Sequence, residues 1–250
     1  MTKLLKAELI KEKRSANFKL LLLVPIGFLL FNLIMGNLMA QDPEGRSYLI
    51  ATSFNWFPLL ILPIVISLLV INIIKKEKQS HIDLQKSLGI DNKRTTLAKS
   101  IVVIIELFIV VFLSSIIIYL IGGLVLCQNI NLSLVLKAGL VLFVGSLPLL
   151  GISFFLMRFF NKGFLIIILN FILSIISPIP AVSHMWELYP YSYSLRMLAP
   201  IIGVHPNGTF LEKESELWNL DVIPIAMILS FVIFAIFIAL ACIRKDKKNA

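Results

Sequence analysis

Residue types that perform catalysis are few in this sequence, and they do not form a catalytic pattern. Its three histidines are split, because the charge pattern predicts His81 on one side of a membrane and His184 and His205 on the other. They therefore cannot share a metal ion. The sequence also lacks a Gly-x-x-x-x-Gly-Lys-Ser/Thr phosphate loop, a His-Glu-x-x-His helix and a Gly-x-Ser-x-Gly turn. We expect a chain that is not an enzyme and that binds no cofactor or metal itself.

One carboxylate stands inside a long apolar block. Glu106 lies about two helical turns into that block, where a charge is costly and usually faces protein or water. Glu106 could pair with Lys99 or with a partner chain and so help to hold helices together. The alternative is that Glu106 is part of a proton relay. We expect Asn32, Asn72 and Asn170, which also lie in apolar blocks, to form hydrogen bonds between helices.

The elements that position these side chains are long apolar blocks. Hydrophobic residues make up 58% of the 250 residues and charged residues 15%, which is unlike a soluble protein. Six blocks approach the length of about 20 residues that crosses a bilayer, and none alternates as a barrel strand does. We expect one all-α integral membrane domain over residues 1–250. Its predicted spans are approximately 18–38, 54–74, 100–126, 134–157, 163–179 and 222–243.

Basic residues predict the orientation of this bundle. The connecting segments on one side carry 19 lysines and arginines, and those on the other side carry four. Because basic loops stay in the cytoplasm, both termini should lie there. The same rule accounts for the net charge of +9, so no nucleic-acid partner is needed.

A short helix is predicted in the cytoplasmic loop between the second and third spans. Residues 80–83, Ser-His-Ile-Asp, have the form of a capping box. A helix over residues 81–88 would end at Gly89, which readily takes the left-handed conformation. Leu84 and Leu88 would share one face of it. A helix this short needs something to pack against, and a simple turn is the alternative.

Two further helices are predicted on the same side. Asp91 or Asn92 would cap a helix that runs through Lys99 into the third span. At the amino terminus, Leu5 and Leu9 stand at helical spacing among six basic residues, which suits an interfacial helix on an anionic leaflet. A solvated basic tail is the alternative there.

Residues 77–99, EKQSHIDLQKSLGIDNKRTTLAK, resemble the loop between spans two and three of ABC-2 type transporter permeases. That loop has an acidic residue soon after the second span, a short amphipathic helix, a Leu, small-residue, basic turn and a Lys at the third span. Residues 4–14 resemble the interfacial amino-terminal helix of the family. Chain length and a sparse outer loop after span one look most like the permeases of lantibiotic-immunity exporters.

The resemblance implies that the short helix is a coupling helix, seated in a cleft of a cytosolic ATPase. Glu77 and Lys99 would frame it. The implied ATPase-coupling residues are Glu77, Ser80, Ile82, Asp83, Leu84, Lys86, Leu88, Gly89 and Lys99.

The implied function is that of a permease subunit of an ATP-driven exporter. It would expel an amphiphilic antimicrobial peptide, a lantibiotic, from a bacterial cytoplasmic membrane and so give self-immunity or resistance. A separate ATPase, as a dimer, would use ATP and Mg, and a second permease, related rather than identical, would complete the pathway. Three alternatives stay open: an immunity protein that sequesters the peptide or masks its target, an ABC-2 permease for another lipid-like or drug substrate, and an intramembrane enzyme without recognisable motifs.

The segment between the last two spans, residues 180–221, is rich in aromatic side chains. Permeases resembling this chain carry a re-entrant or outer helical segment at this place. That likeness implies an outer gate or a wall of the peptide exit, whereas aromatic residues at a membrane interface are the plainer interpretation. The residues that would form the gate are Trp186, Tyr189, Tyr191, Tyr193 and Arg196.

Overall fold

The computed structural model describes residues 1–13, 15–38, 46–77, 87, 89 and 91–243. Throughout these residues the regular structure is helical, with no strand. The helices are α1 (Thr2–Glu12), α2 (Ala16–Leu38), α3 (Tyr48–Trp56), α4 (Leu62–Lys75), α5 (Asn92–Leu120), α6 (Leu132–Phe160), α7 (Gly163–Ile176), α8 (Pro178–Ala181), α9 (Tyr193–Ile202) and α10 (Val222–Ile243).

Six helical stretches of the described chain are long and apolar enough to cross a membrane, which confirms the predicted all-α membrane fold. They are Ala16–Met35, Tyr48–Lys75, Asn92–Val125, Leu132–Phe160, Gly163–Ala181 and Val222–Ile243.

The second and third spans begin earlier than the apolar pattern predicts, at Tyr48 instead of residue 54 and at Asn92 instead of residue 100. A cap fixes each start, because the side chains of Ser47 and Asp91 accept a hydrogen bond from a backbone amide of the first turn. Of the two predicted caps, Asp91 and Asn92, the structure shows Asp91. Both helices thus begin before the predicted spans, and in α5 the added first turn, Asn-Lys-Arg-Thr, is polar.

Wide π-helical turns interrupt two spans. The turn Phe57–Ile61 joins α3 to α4 and contains Pro58, with Pro63 directly after it in α4. A proline has no N–H to donate to the preceding turn, so the helix widens there instead of breaking. The turn Ile121–Val125, which contains Gly122 and Gly123 and no proline, continues α5.

Helix α6 is the central element of the bundle, because its span is the most buried of the six. Two glycines let neighbours approach its backbone closely. A Cβ on Gly145 would lie 2.8 Å from the Cα of Ser194 in α9, and one on Gly151 would lie 3.2 Å from the Cα of Phe234 in α10. Both approaches depend on the missing side chain. The spans of α2 and α10 are the least buried and form the periphery.

The two ends of the bundle carry different elements. One end carries α1, the start of α2, the end of α4 and the start of α5, and we call it the α1 end. The far end carries α3, α8, α9 and the segment before α10.

Candidate functional site

Helix α1 turns its acidic side towards the bundle. Glu8 and Glu12 are 2% and 7% exposed, whereas Leu9 and Ile10 of the same helix are exposed. Leu5 packs against the core, so the two leucines predicted to form one face lie in different surroundings. The buried carboxylates need partners, and lysines supply them.

The first partners form a chain of ion pairs that we call the Glu77 node, made of Glu8, Lys11, Glu77 and Lys99. Lys99 Nζ lies 2.6 Å from Glu77 Oε2, and both side chains are buried. Lys11 Nζ lies 3.3 Å from Glu77 Oε1 and 2.5 Å from Glu8 Oε1. The node therefore ties the residue that opens the loop to α1 on one side and to α5 on the other.

A second link fastens α1 beside the node. Lys76 Nζ lies 3.3 Å from Glu12 Oε1 and also donates a hydrogen bond to the backbone carbonyl of Lys11. Burial by itself lowers the pKa of Lys11, but the hydrogen bond and charge of Glu8, together with Glu77, outweigh it and raise that pKa above its usual value. The ammonium thus stays charged in the docked helix.

Beneath the ion pairs lies a buried polar cluster that we call the Asn17 knot. Asn17 Nδ2 donates to Glu106 Oε2 at 2.8 Å and to the Leu69 carbonyl at 3.1 Å. Asn72 Nδ2 donates to Asn17 Oδ1 at 3.0 Å. The knot joins α2, α4 and α5, as predicted for Asn72. Glu106 is paired with Asn17 rather than with Lys99, which belongs to the node.

The predicted coupling helix falls mostly outside the described residues. That holds for Ser80, Ile82, Asp83, Leu84, Lys86 and Leu88, so the helix stays a prediction. Gly89 is described and has a φ of +69°, which confirms the left-handed conformation expected of it. The structure thus describes both edges of the loop, with Glu77 and Lys99 joined at its base.

At the far end, the predicted gate residues are bound into the protein. The hydroxyl of Tyr191 donates to Asn170 Oδ1 at 2.8 Å, and that of Tyr189 donates to the Leu173 carbonyl at 2.8 Å. The hydroxyl of Tyr193 donates to the Glu187 carbonyl. Burial, with the nearby charge of Glu187, raises the pKa of Tyr193 to about 12.

Asn170 connects this segment to the bundle core. Its Nδ2 donates to Ser67 Oγ at 2.7 Å and to Ser153 Oγ at 2.8 Å, while its Oδ1 accepts from Tyr191. The prediction that Asn170 bonds between helices is confirmed, as is that for Asn32, which accepts from Ser53. The far-end segment is thus tied to three spans by neutral hydrogen bonds.

Trp186 and Arg196 complete the far-end segment. Trp186 is 5% exposed and packs edge-on against Tyr193, with ring centroids 5.8 Å apart. The guanidinium carbon of Arg196 lies 6.0 Å from the Trp186 ring. With Trp186, Tyr191 and Tyr193 buried, the gate residues hold this segment together in the observed conformation.

The exposed surface of the far end is acidic instead of aromatic. Residues 180–221 contain five acidic and two basic residues, and all five acidic side chains are exposed: Glu187, Glu212, Glu214, Glu216 and Asp221. Trp218 is 43% exposed and its Nε1 donates to the Glu212 carbonyl at 2.9 Å. We call residues 212–221 the acidic turn. The sequence signal for it, the run Glu-Lys-Glu-Ser-Glu before the last span, is easily missed beside the aromatic residues.

An open cleft of about 440 Å³ lies against the acidic turn. Its lining residues are Arg46, Phe210, Leu211, Glu212, Lys213 and Glu214. The guanidinium of Arg46 stacks 4.3 Å from the centre of the Phe210 ring. The cleft combines an apolar floor with charges of both signs.

Comparison with known families identifies a matching family. The model of a family described as ABC-2 family transporter protein matches residues 4–177, well over half of the 250 residues. The matched part contains α1, the Glu77 node, the Asn17 knot and the first five spans up to the end of α7. No curated protein and no solved structure matches the chain.

Proposed function

This chain belongs to the ABC-2 family of transporter proteins, and we propose that it is the permease of an exporter that expels a lantibiotic. The transporter class follows from the family, which pairs a membrane permease with an ABC ATPase. The peptide substrate, the immunity role and the bacterial cytoplasmic membrane are the proposed part. The chain is a multi-pass membrane protein.

The observation that carries the proposal is the Glu77 node. Glu77, which directly precedes residues 78–90 in the sequence, is joined to Lys99 of α5 at 2.6 Å. A loop fixed at its base moves with the helices that hold it, so a push on the loop reaches α1 and α5. That is the arrangement a motor outside the membrane requires. We propose that a separate ATPase dimer, which hydrolyses ATP with Mg, seats on residues 81–88.

The acidic turn supports a cationic, amphiphilic substrate. Its carboxylates are exposed beside Trp218 and the cleft, so a peptide with basic and apolar residues would find both charge and apolar surface there. The basic residues of the α1 end favour the cytoplasm for that end, which puts the acidic turn outside. A peptide leaving the membrane outwards would meet the turn last.

A second permease completes the proposed assembly. One six-span unit supplies half of a transport pathway in this family, and the peripheral α2 and α10 offer apolar surface to lipid or to a partner. We propose a related chain as that partner. An immunity protein without transport has no use for a loop tied at its base, which favours the exporter over sequestration. A different lipid-like or drug substrate is the remaining alternative.

Affinity purification in mild detergent, followed by identification of the associated chains, tests the exporter. We expect an ATPase dimer and a second permease, and protection of cells from a lantibiotic that requires ATP hydrolysis. Leu84→Glu with Leu88→Glu should abolish both the association and the protection and leave membrane insertion intact. Protection by the isolated chain without an ATPase would overturn the proposal in favour of sequestration, and catalytic turnover by the isolated chain would favour an enzyme.

A further inference from the structure

We propose that Glu106 is a proton-binding site whose occupancy controls the docking of α1. The carboxyl group is 5% exposed, inside the third span. In the described part of the chain its one hydrogen bond comes from Asn17 Nδ2, at 2.8 Å from Oε2, and no ammonium or guanidinium lies within ion-pair distance. A buried carboxylate without an ion pair is costly, whereas a protonated carboxyl carries no charge to bury.

The charged groups of the α1 end are paired with one another and not with Glu106. α1 contributes Glu8, Lys11 and Glu12, the residues after α4 contribute Lys76 and Glu77, and α5 contributes Lys99. Of these, Glu12 and Lys76 act electrostatically on Glu106. Each of the three ammonium groups is paired with a carboxylate other than Glu106. A proton on Glu106 therefore removes a buried charge that none of these ion pairs neutralises.

Glu12 is the neighbouring carboxylate that an ionised Glu106 would repel. It lies within electrostatic range of Glu106, as does Lys76. Lys76 is already paired with Glu12 at 3.3 Å, and Glu12 Oε2 is buried without a hydrogen-bond partner among the described residues. One ammonium therefore faces two carboxyl groups. If Glu106 lost its proton to water, its negative charge would repel Glu12 and with it α1.

Asn17 allows Glu106 to hold the proton without breaking the knot. Its Nδ2 donates to Oε2, and that bond persists whether or not the other carboxyl oxygen is protonated. Asn17 stands at the start of α2, five residues after α1 ends at Glu12. A change of charge at Glu106 thus acts at the junction of α1 with the bundle. Since α1 also holds the Glu77 node, proton release would loosen the base of the loop.

This inference does not depend on the substrate or the motor, so its test needs neither. The protein with Cys127→Ser and Cys242→Ser would carry spin labels at Lys6→Cys on α1 and Phe160→Cys at the end of α6, both exposed positions. Pulsed electron paramagnetic resonance in nanodiscs would give the label distance between pH 5 and pH 10. We expect one narrow distance at low pH and a broad or longer one at high pH.

Glu106→Gln should keep the narrow distance at every pH, because the amide is neutral and similar in shape. Glu12→Gln is the second variant: it frees Lys76 to pair with Glu106, so the transition should also be lost. Glu214→Gln in the acidic turn is the matched control and should follow the unchanged protein. A distance that ignores pH in the unchanged protein, or a Glu106→Gln protein that keeps the full transition, would overturn the proposal.

Discussion

The two ends of the bundle hold their non-spanning segments by different kinds of bond. At the α1 end, α1 is fastened by ion pairs through Lys11, Lys76 and Lys99. At the far end, the segment around α9 is fastened by tyrosine hydroxyls that donate to Asn170 and to backbone carbonyls. Buried carboxylates thus hold α1, whereas the acidic side chains of the far-end segment are exposed.

This difference indicates which end is built to rearrange. Ion pairs act over several ångströms, and charged groups within a cluster can exchange partners. Glu77, for example, is paired with both Lys11 and Lys99. A neutral hydrogen bond is lost within a fraction of an ångström and over a modest change of angle. We therefore expect the α1 end to shift between arrangements more readily than the far-end segment. This difference agrees with the proposed coupling loop at the α1 end and the proposed outer surface at the far end.

The largest predicted effect breaks the α1 end. Lys99→Met leaves Glu77 buried with the half-exposed Lys11 as its remaining described ion-pair partner. Removing one partner of a buried pair typically costs about 3–5 kcal/mol. We expect a large fall in the denaturant midpoint of the purified protein, and loss of lantibiotic protection in cells.

Two variants sharpen this result. Lys19→Met removes an exposed lysine of α2 and should leave the midpoint within the experimental error. Glu77→Gln combined with Lys99→Met removes both charges, so it should recover part of the stability lost by Lys99→Met alone. If the double variant is no more stable than the single one, the pair does not hold the loop as described.

A smaller effect is expected from the far end. Tyr191→Phe removes the hydroxyl that donates to Asn170 and leaves Oδ1 of that amide buried without its donor. An unsatisfied buried acceptor costs about 1–3 kcal/mol. Tyr119→Phe is the matched control, because no hydrogen bond of its hydroxyl occurs within the described residues. Thermal unfolding in detergent should show a lower midpoint for Tyr191→Phe and little change for Tyr119→Phe; equal midpoints would show that the hydroxyl does not anchor the segment.

What the sequence predicted at these two ends depended on local signals. Six spans followed from block length, the Asp91 cap from residue type at a helix start, and the Gly89 conformation from the absence of a side chain. The three intramembrane asparagines were predicted to bond between helices because hydrocarbon offers them nothing else.

The partners of these residues could not be predicted. Lys99 and Glu77 are 22 residues apart, and Asn17 and Glu106 are 89 apart, so their meeting depends on which helices are neighbours and how each is rotated. Apolar spans give little information about rotation, because lipid and protein interior are similarly apolar. The hydrogen bond of Tyr191 could not be predicted for the same reason. Its aromatic ring suggested a position at the membrane interface, but its hydroxyl donates to Asn170 inside the bundle.

The smallest predicted effect concerns the surface of the far end. Glu212→Gln, Glu214→Gln and Glu216→Gln together remove three exposed charges of the acidic turn. Fully exposed charge pairs contribute about 0.2–0.5 kcal/mol each, so the loss of three should lower the affinity for a fluorescent Lys–Leu amphipathic peptide in nanodiscs by about threefold to tenfold at low salt. Lys213→Gln removes a positive charge from the same cleft and should act in the opposite direction.

High salt should weaken the effect of the exposed charges of the acidic turn and not that of the buried ion pairs. At 1 M salt the screening length is about 3 Å, so the difference between the triple variant and the unchanged protein should vanish in the binding assay. The loss caused by Lys99→Met should persist at that ionic strength, because its partner is buried and poorly screened. If the triple variant binds the peptide as tightly as the unchanged protein at low salt, the acidic turn does not contact the peptide as proposed. The electrostatic argument for a cationic substrate would then fail.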